Sequence, residues 1–232
     1  MRDYTQGLRD GVAIGLGYLS VSFSFGINAV SGGLSILQSA LISMTNLTSA
    51  GQVAGLSSMI ELAPLLELML LQLTINIRYS LMSISLSQKL DASMTTGARL
   101  ACSFFITDEI FAVASSQKFL LSRDYLLGLS AMPYIGWTLG TLLGATAGLI
   151  LPLSIAHSLG IAIFGMFVAI VVPVAKRFTP VRVVSLTAIA LSLIFHYVPV
   201  FSGLSGGVSI IVCAIVAAGL GAYLHPVDDR EV

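Results

Sequence analysis

The sequence predicts an all-α fold, a polytopic helical membrane protein of seven to eight transmembrane helices, and three observations predict it. Of the 232 residues, 56% are hydrophobic and only 9% charged, whereas a soluble domain carries about 25% charged residues. Mean hydropathy is +0.96. The stretches 11–60, 125–175 and 183–227 hold no Lys, Arg, Asp or Glu, and each is long enough for two crossings at about 20 apolar residues apiece. Lipid gives the backbone no water to bond to, so apolar runs without strand-like alternation are expected to be helices.

The expected spans, in order, are 12–30, 36–57, 62–87, 99–117, 125–151, 154–175, 181–199 and 206–224. The first begins at Val12 and has full span length. The residues before it lack a short apolar core with a small-x-small cleavage site, so it is expected to be a retained helix and not a signal peptide. The second, about 36–57, is expected to be broken or re-entrant, because ten of the sixteen residues 43–58 are Ser, Thr, Asn, Gln or Gly. Such a stretch either lines a polar cavity with freed backbone groups and half-helix ends, or packs as a weakly apolar helix through its small residues. The third carries Asn76-Ile77-Arg78-Tyr79 just past its centre, and the fourth has Thr107-Asp108-Glu109 at its midpoint. In the fifth, Gly136, Gly140, Gly144 and Gly148 recur at every fourth position, as do Gly7, Gly11 and Gly15 at the first span. Such a stripe lets another backbone approach closely, and helix packing is favoured there over a substrate role. Pro133 lies inside a span, while Pro64, Pro152, Pro173, Pro180, Pro199 and Pro226 fall near span ends, where a missing donor costs least.

Basic residues of short loops stay on the cytoplasmic side. With eight spans and the N-terminus inside, Arg2, Arg9, Lys118, Arg123, Lys176, Arg177, Arg182 and Arg230 are cytoplasmic, and only Lys89 and Arg99 face out. The whole chain, 1–232, is thus expected to be one integral membrane domain, with 1–10 and 225–232 as short cytoplasmic termini.

A charge near mid-bilayer costs about 2.5–3.5 kcal/mol on insertion scales, so Arg78, Asp108 and Glu109 each need a reason. One base against two acids at similar depth leaves one acid to take a proton or meet a cation. A purely structural ion pair is the competing explanation. Asp108 and Glu109 point about 100° apart on a helix, so they are expected to serve different contacts. Gln72, Asn76 and Tyr79 make one polar stripe, with Arg78 off it. Glu67 is about 16 Å from Arg78 along the helix axis, too far to pair. With Glu61 it remains a proton-carrying candidate of lower rank.

Other chemistries find little support. Eleven basic and eleven acidic residues give net charge zero without a basic cluster, which argues against nucleic-acid binding. Cys102 and Cys213 sit in apolar stretches as small hydrophobes. Gly203-Leu204-Ser205-Gly206 and Ala156-His157-Ser158-Leu159-Gly160 are reminiscent of intramembrane rhomboid proteases, but in reversed order, and chance matches are expected in so Gly- and Ser-rich a chain. His157, His196 and His225 lie near span ends. No phosphate loop, H-E-x-x-H or Cys/His spacing occurs, so neither enzyme activity nor any metal or cofactor is expected.

The combination of Ser49-Ala50-Gly51-Gln52 after a polar helix, Asn76-Ile77-Arg78-Tyr79 and Thr107-Asp108-Glu109 resembles the AzlC family over about residues 5–180. Those are permease subunits of branched-chain amino acid exporters. Tyr79 stands where His is common in the family. The resemblance implies proton-coupled secondary export of leucine, isoleucine and valine, with methionine as a further candidate. It also implies a small hydrophobic AzlD-type membrane subunit and a bacterial-type cytoplasmic (inner) membrane location. On that reading Asn46, Ser49, Gly51, Gln52, Asn76, Arg78, Phe105, Asp108 and Glu109 bind substrate, and Asp108, Glu109 and Glu67 are candidates for proton coupling. The substrate carboxylate would meet the Ser49–Gln52 backbone or Arg78, its ammonium Asp108 or Glu109, and its side chain Phe104, Phe105 and Phe111. A passive channel or structural membrane subunit is the alternative, and an intramembrane hydrolase a remote one.

Overall fold

The computed structural model describes residues 2–152, 162–201 and 203–225. They fold as an all-α polytopic membrane protein with no β-strand among the described residues. The helices are α1 (Arg2–Ser31), α2 (Ile36–Thr45), α3 (Ser49–Ile60), α4 (Leu65–Ser87), α5 (Thr96–Ser103), α6 (Asp108–Ser116), α7 (Arg123–Ile150), α8 (Ala162–Arg177), α9 (Thr179–Tyr197) and α10 (Gly206–Leu224), with a 3₁₀ turn at Pro199–Phe201. Among the described residues, α1, α4, α7, α9 and α10 are long and apolar enough to cross a bilayer. The start of the expected span 154–175, with the His157 motif, lies outside the described residues, and so does the expected cytoplasmic tail from residue 226 on, with Pro226 and Arg230.

The segment 36–57 is broken, as its polarity leads one to expect: α2 ends at Thr45 and α3 begins at Ser49. A second break falls where the sequence leads one to expect a single helix over 99–117. There α5 stops at Ser103 and α6 starts only at Asp108. The cause is local. Thr107 is extended and its hydroxyl accepts from the Ile110 N–H at 3.4 Å, an N-cap followed by two acids in the first turn, where the helix dipole favours negative charge.

The chain divides into two compact units, residues 1–53 with 76–163 and residues 54–75 with 164–232. In the first, α1 and α7 run parallel along each other in the most extensive helix pairing. Glycines make it possible. A Cβ on Gly15 would stand 2.7 Å from the Met132 carbonyl oxygen, and one on Gly136, Gly140 or Gly144 would run into the carbonyls of Gly15, Leu19 or Phe23. Leu129, whose carbonyl loses its helical donor to Pro133 four residues on, turns that oxygen toward Gly11. Side chains fasten the same pair at its start, where Tyr125 donates to Asp10 at 2.8 Å and Ser122 to Asp3 at 3.0 Å. One core cluster forms around Leu86, Ile110, Leu121, Tyr125 and Leu129, and another around Tyr18, Leu47 and Trp137.

In the second unit α9 and α10 pair, with Gly221 facing Val184 and a cleft of about 990 Å³ between them lined by Ser192, His196, Ser209 and Cys213 among apolar neighbours. Glu67 accepts from the Ser205 hydroxyl, which also caps α10 through the Val208 N–H at 3.3 Å. The G-x-S-G motif is therefore the start of a helix, with its serine engaged as the cap.

Candidate functional site

The two helix breaks of the first unit carry the polar chemistry, and α4 reaches both. At the first break Thr48 does the fixing: its N–H donates to Asn46 Oδ1 at 3.2 Å, and its hydroxyl donates to Asn76 Oδ1 at 2.7 Å while accepting from the Gly51 N–H at 3.3 Å. Two residues further along α4, Arg78 lies 2.9 Å from Asp108 at the second break, with the two side chains 44% and 46% exposed. Helical geometry turns Asn76 and Arg78 about 200° apart, so one helix serves two breaks.

Glu109 takes a different partner, the Tyr18 hydroxyl of α1, which also lies 2.7 Å from Thr107 Oγ1. The acid left over by a one-to-two count of charges thus meets a phenol. Gln52, one turn into α3, is 2% exposed. It accepts from the Trp137 indole N–H at 2.7 Å and donates to Ser43 at 2.9 Å, and Ser43 and Thr141 share a further hydrogen bond of 2.7 Å. Aromatic rings join the breaks on their apolar side. Phe105 stands 4.9 Å from Phe104 and 5.5 Å from Tyr134, edge to face, and the Tyr134 hydroxyl donates to the Met44 carbonyl at 3.1 Å.

Of the residues expected to bind substrate, Asn46, Ser49, Gly51, Gln52, Asn76, Arg78, Phe105, Asp108 and Glu109 all belong to this unit and line or brace its two breaks. Phe111 does not join Phe104 and Phe105, packing instead against the cluster around Ile110 and Tyr125. Glu67 belongs to the other unit, at the start of α10. Glu61 lies there too, its carboxylate beside Gly206. Tyr18, Trp137 and Thr141 are absent from the sequence reading, and Ser43 enters it only as the first residue of the polar run 43–58, since an aromatic or a hydroxyl in an apolar helix carries no signal by itself. Thr107 followed by two acids does carry one, the signature of a helix start.

The site offers a cation and two carboxylates around the start of a half-helix, a polar helix break nearby, and an aromatic wall between them. Among the described residues no three His, Cys, Asp or Glu gather to hold a metal. A helical polytopic fold with a half-exposed ion pair at a helix break defines an integral membrane protein with a polar site in its helix bundle. More particularly, the chain belongs to the AzlC family: residues 13–151, more than half its length, match the family model described as AzlC protein. It is 30% identical over 195 residues to an uncharacterized membrane protein of Archaeoglobus fulgidus, covering 83% of this chain and 84% of that one. It is 26% identical over 149 residues to the inner membrane protein YgaZ of Escherichia coli K12. That match takes in 62% of this chain and 61%, less than two thirds, of the E. coli protein. No solved structure matches the chain.

Proposed function

We propose that the protein is a secondary active transporter subunit that exports branched-chain amino acids, leucine, isoleucine and valine, with methionine as a further substrate, coupled to protons. The observation that carries this reading is the Arg78–Asp108 pair, closed at 2.9 Å yet nearly half exposed on both sides. A zwitterion can enter such a pair by exchange of partners. Its carboxylate takes Arg78, its ammonium takes Asp108, and no charge is left bare in a low-dielectric site. Phe105 with Phe104 and Tyr134 supplies apolar surface for an aliphatic side chain, and Glu109 is an acid able to hold the coupled proton. Family membership supports a small hydrophobic AzlD-type subunit as partner. The basic loops support an N-terminus on the cytoplasmic side of a bacterial-type inner membrane.

Proteoliposomes holding the chain with its small companion should show saturable leucine efflux with counterflow. Asp108→Asn should lower kcat/KM about a hundredfold, the loss of one charge-assisted contact of about 3 kcal/mol. Leucine moving at wild-type rates in Asp108→Asn and Glu109→Gln, with and without a pH gradient, would sink the assignment. The closed state of the pair also favours a second reading, a passive or structural subunit whose ion pair only braces the bundle. Counterflow separates the two, because a pore has none.

A further inference from the structure

Tyr18 touches both helix breaks. Its hydroxyl bonds Glu109 in the first turn of α6 and lies against Thr107, the cap of the same helix. Its ring packs with Leu47, which sits inside the first break, and meets Trp137 edge to face at 5.2 Å and 68°. Trp137 in turn holds Gln52 through its indole N–H, and Gln52 holds Ser43, so the chain of contacts leads from an acid at one break to the amide that anchors the other. Tyr18, Trp137, Gln52 and Ser43 are all buried, and interiors packed this tightly pass a shift on to their neighbours.

We propose that Tyr18 is a positioning residue that couples the charge on Glu109 to the polar break at 46–48. A carboxylate accepts the phenol in a charge-assisted bond, stronger than a neutral one. When Glu109 takes a proton, or turns its charge to a substrate ammonium, that bond weakens and the ring is released from its place against Trp137 and Leu47. Loading one break then loosens the other, a linkage that works equally in reverse. Tyr79 is the other titratable group near the phenol, Tyr134 packs on the cluster that holds its ring, and Asp108, paired with Arg78, lies beside Glu109. The consequence for export rests on the export reading above, whereas the linkage itself does not.

Trp137 is the only tryptophan of the chain and reports on the linkage directly. In the full chain in nanodiscs, Glu109→Gln, which removes the carboxylate charge and keeps the shape, should shift the Trp137 emission from that of the wild type. Asp108→Asn, which leaves the phenol–Glu109 bond in place, should keep the wild-type emission. In a Tyr18→Phe background, which keeps the ring and its packing, the Glu109→Gln shift should vanish. A shift that persists in the Tyr18→Phe background, or no shift on Glu109→Gln, overturns the proposal. In leucine efflux, Tyr18→Phe should leave KM within about twofold and lower kcat about tenfold, whereas a merely structural loss would lower the yield of folded protein and leave kcat per folded molecule unchanged. A wild-type chain that moved no leucine would remove the export reading and leave the emission test standing.

Discussion

Gln52 is bonded at both ends of its amide, to Trp137 on one side and Ser43 on the other, with 2% of its surface exposed. Gln52→Ala therefore strips the buried indole N–H of its partner and leaves the Ser43 hydroxyl with Thr141 alone. An unsatisfied buried group costs about 1–3 kcal/mol, so the variant should unfold in denaturant or heat with a loss of about 2 kcal/mol, its Trp137 emission changed in the native state. Gln52 and Asn76 were legible in the sequence because an amide in an apolar run needs a partner. Trp137 and Tyr18 were not, since each looks like ordinary apolar filling until its polar atom is seen to point at Gln52 or Glu109.

Helix ends and helix pairs follow the same local rules with different visibility. Helix α1 ends in a Schellman motif, with Leu34 N–H to Ala29 carbonyl and Gly33 N–H to Val30 carbonyl, and Gly33 takes φ of 93°. Helix α3 ends in the same motif, but Leu62 occupies the left-handed position at φ 52°. A residue with a Cβ costs about 1 kcal/mol there relative to glycine. Leu62 is 89% exposed, so Leu62→Gly should raise stability by about 1 kcal/mol, read as a higher melting temperature of the solubilised protein. The glycine stripes behave oppositely. Gly144→Ala puts a methyl into the Phe23 carbonyl, and the cost of forcing α1 and α7 apart should be about 2–3 kcal/mol. Gly17→Ala, on α1 with nothing within 4 Å, should be neutral or better by helix propensity. A four-residue glycine period is readable in a sequence, but which helix it meets is not, because the α1 residues it meets, Gly15, Leu19 and Phe23, lie more than a hundred residues away. The break at 46–48 was visible as a polar run. The one at 104–107 was hidden by apolar flanks on both sides, with only the Thr107 cap to betray it.

For the whole molecule, the few charges of the sequence leave a decisive experiment, because so few must be accounted for. Low charge content placed the chain in lipid and singled out Arg78, Asp108 and Glu109, but it could not say whether their pairing serves the fold or the cargo. The two roles predict different behaviour when the pair is removed together. Replacing one partner strands the other charge, which costs about 3–5 kcal/mol for a fully buried pair and correspondingly less for side chains nearly half exposed. Arg78→Met and Asp108→Leu alone should each lower stability and yield. The double variant Arg78→Met/Asp108→Leu leaves no stranded charge and should recover most of the lost stability, since an apolar pair of similar volume replaces an ion pair at little cost. If the pair only braces the bundle, transport returns with the fold. If it receives a zwitterion, the refolded double variant stays inactive in leucine efflux, because stability can be recovered with methyl groups and recognition of two opposite charges cannot.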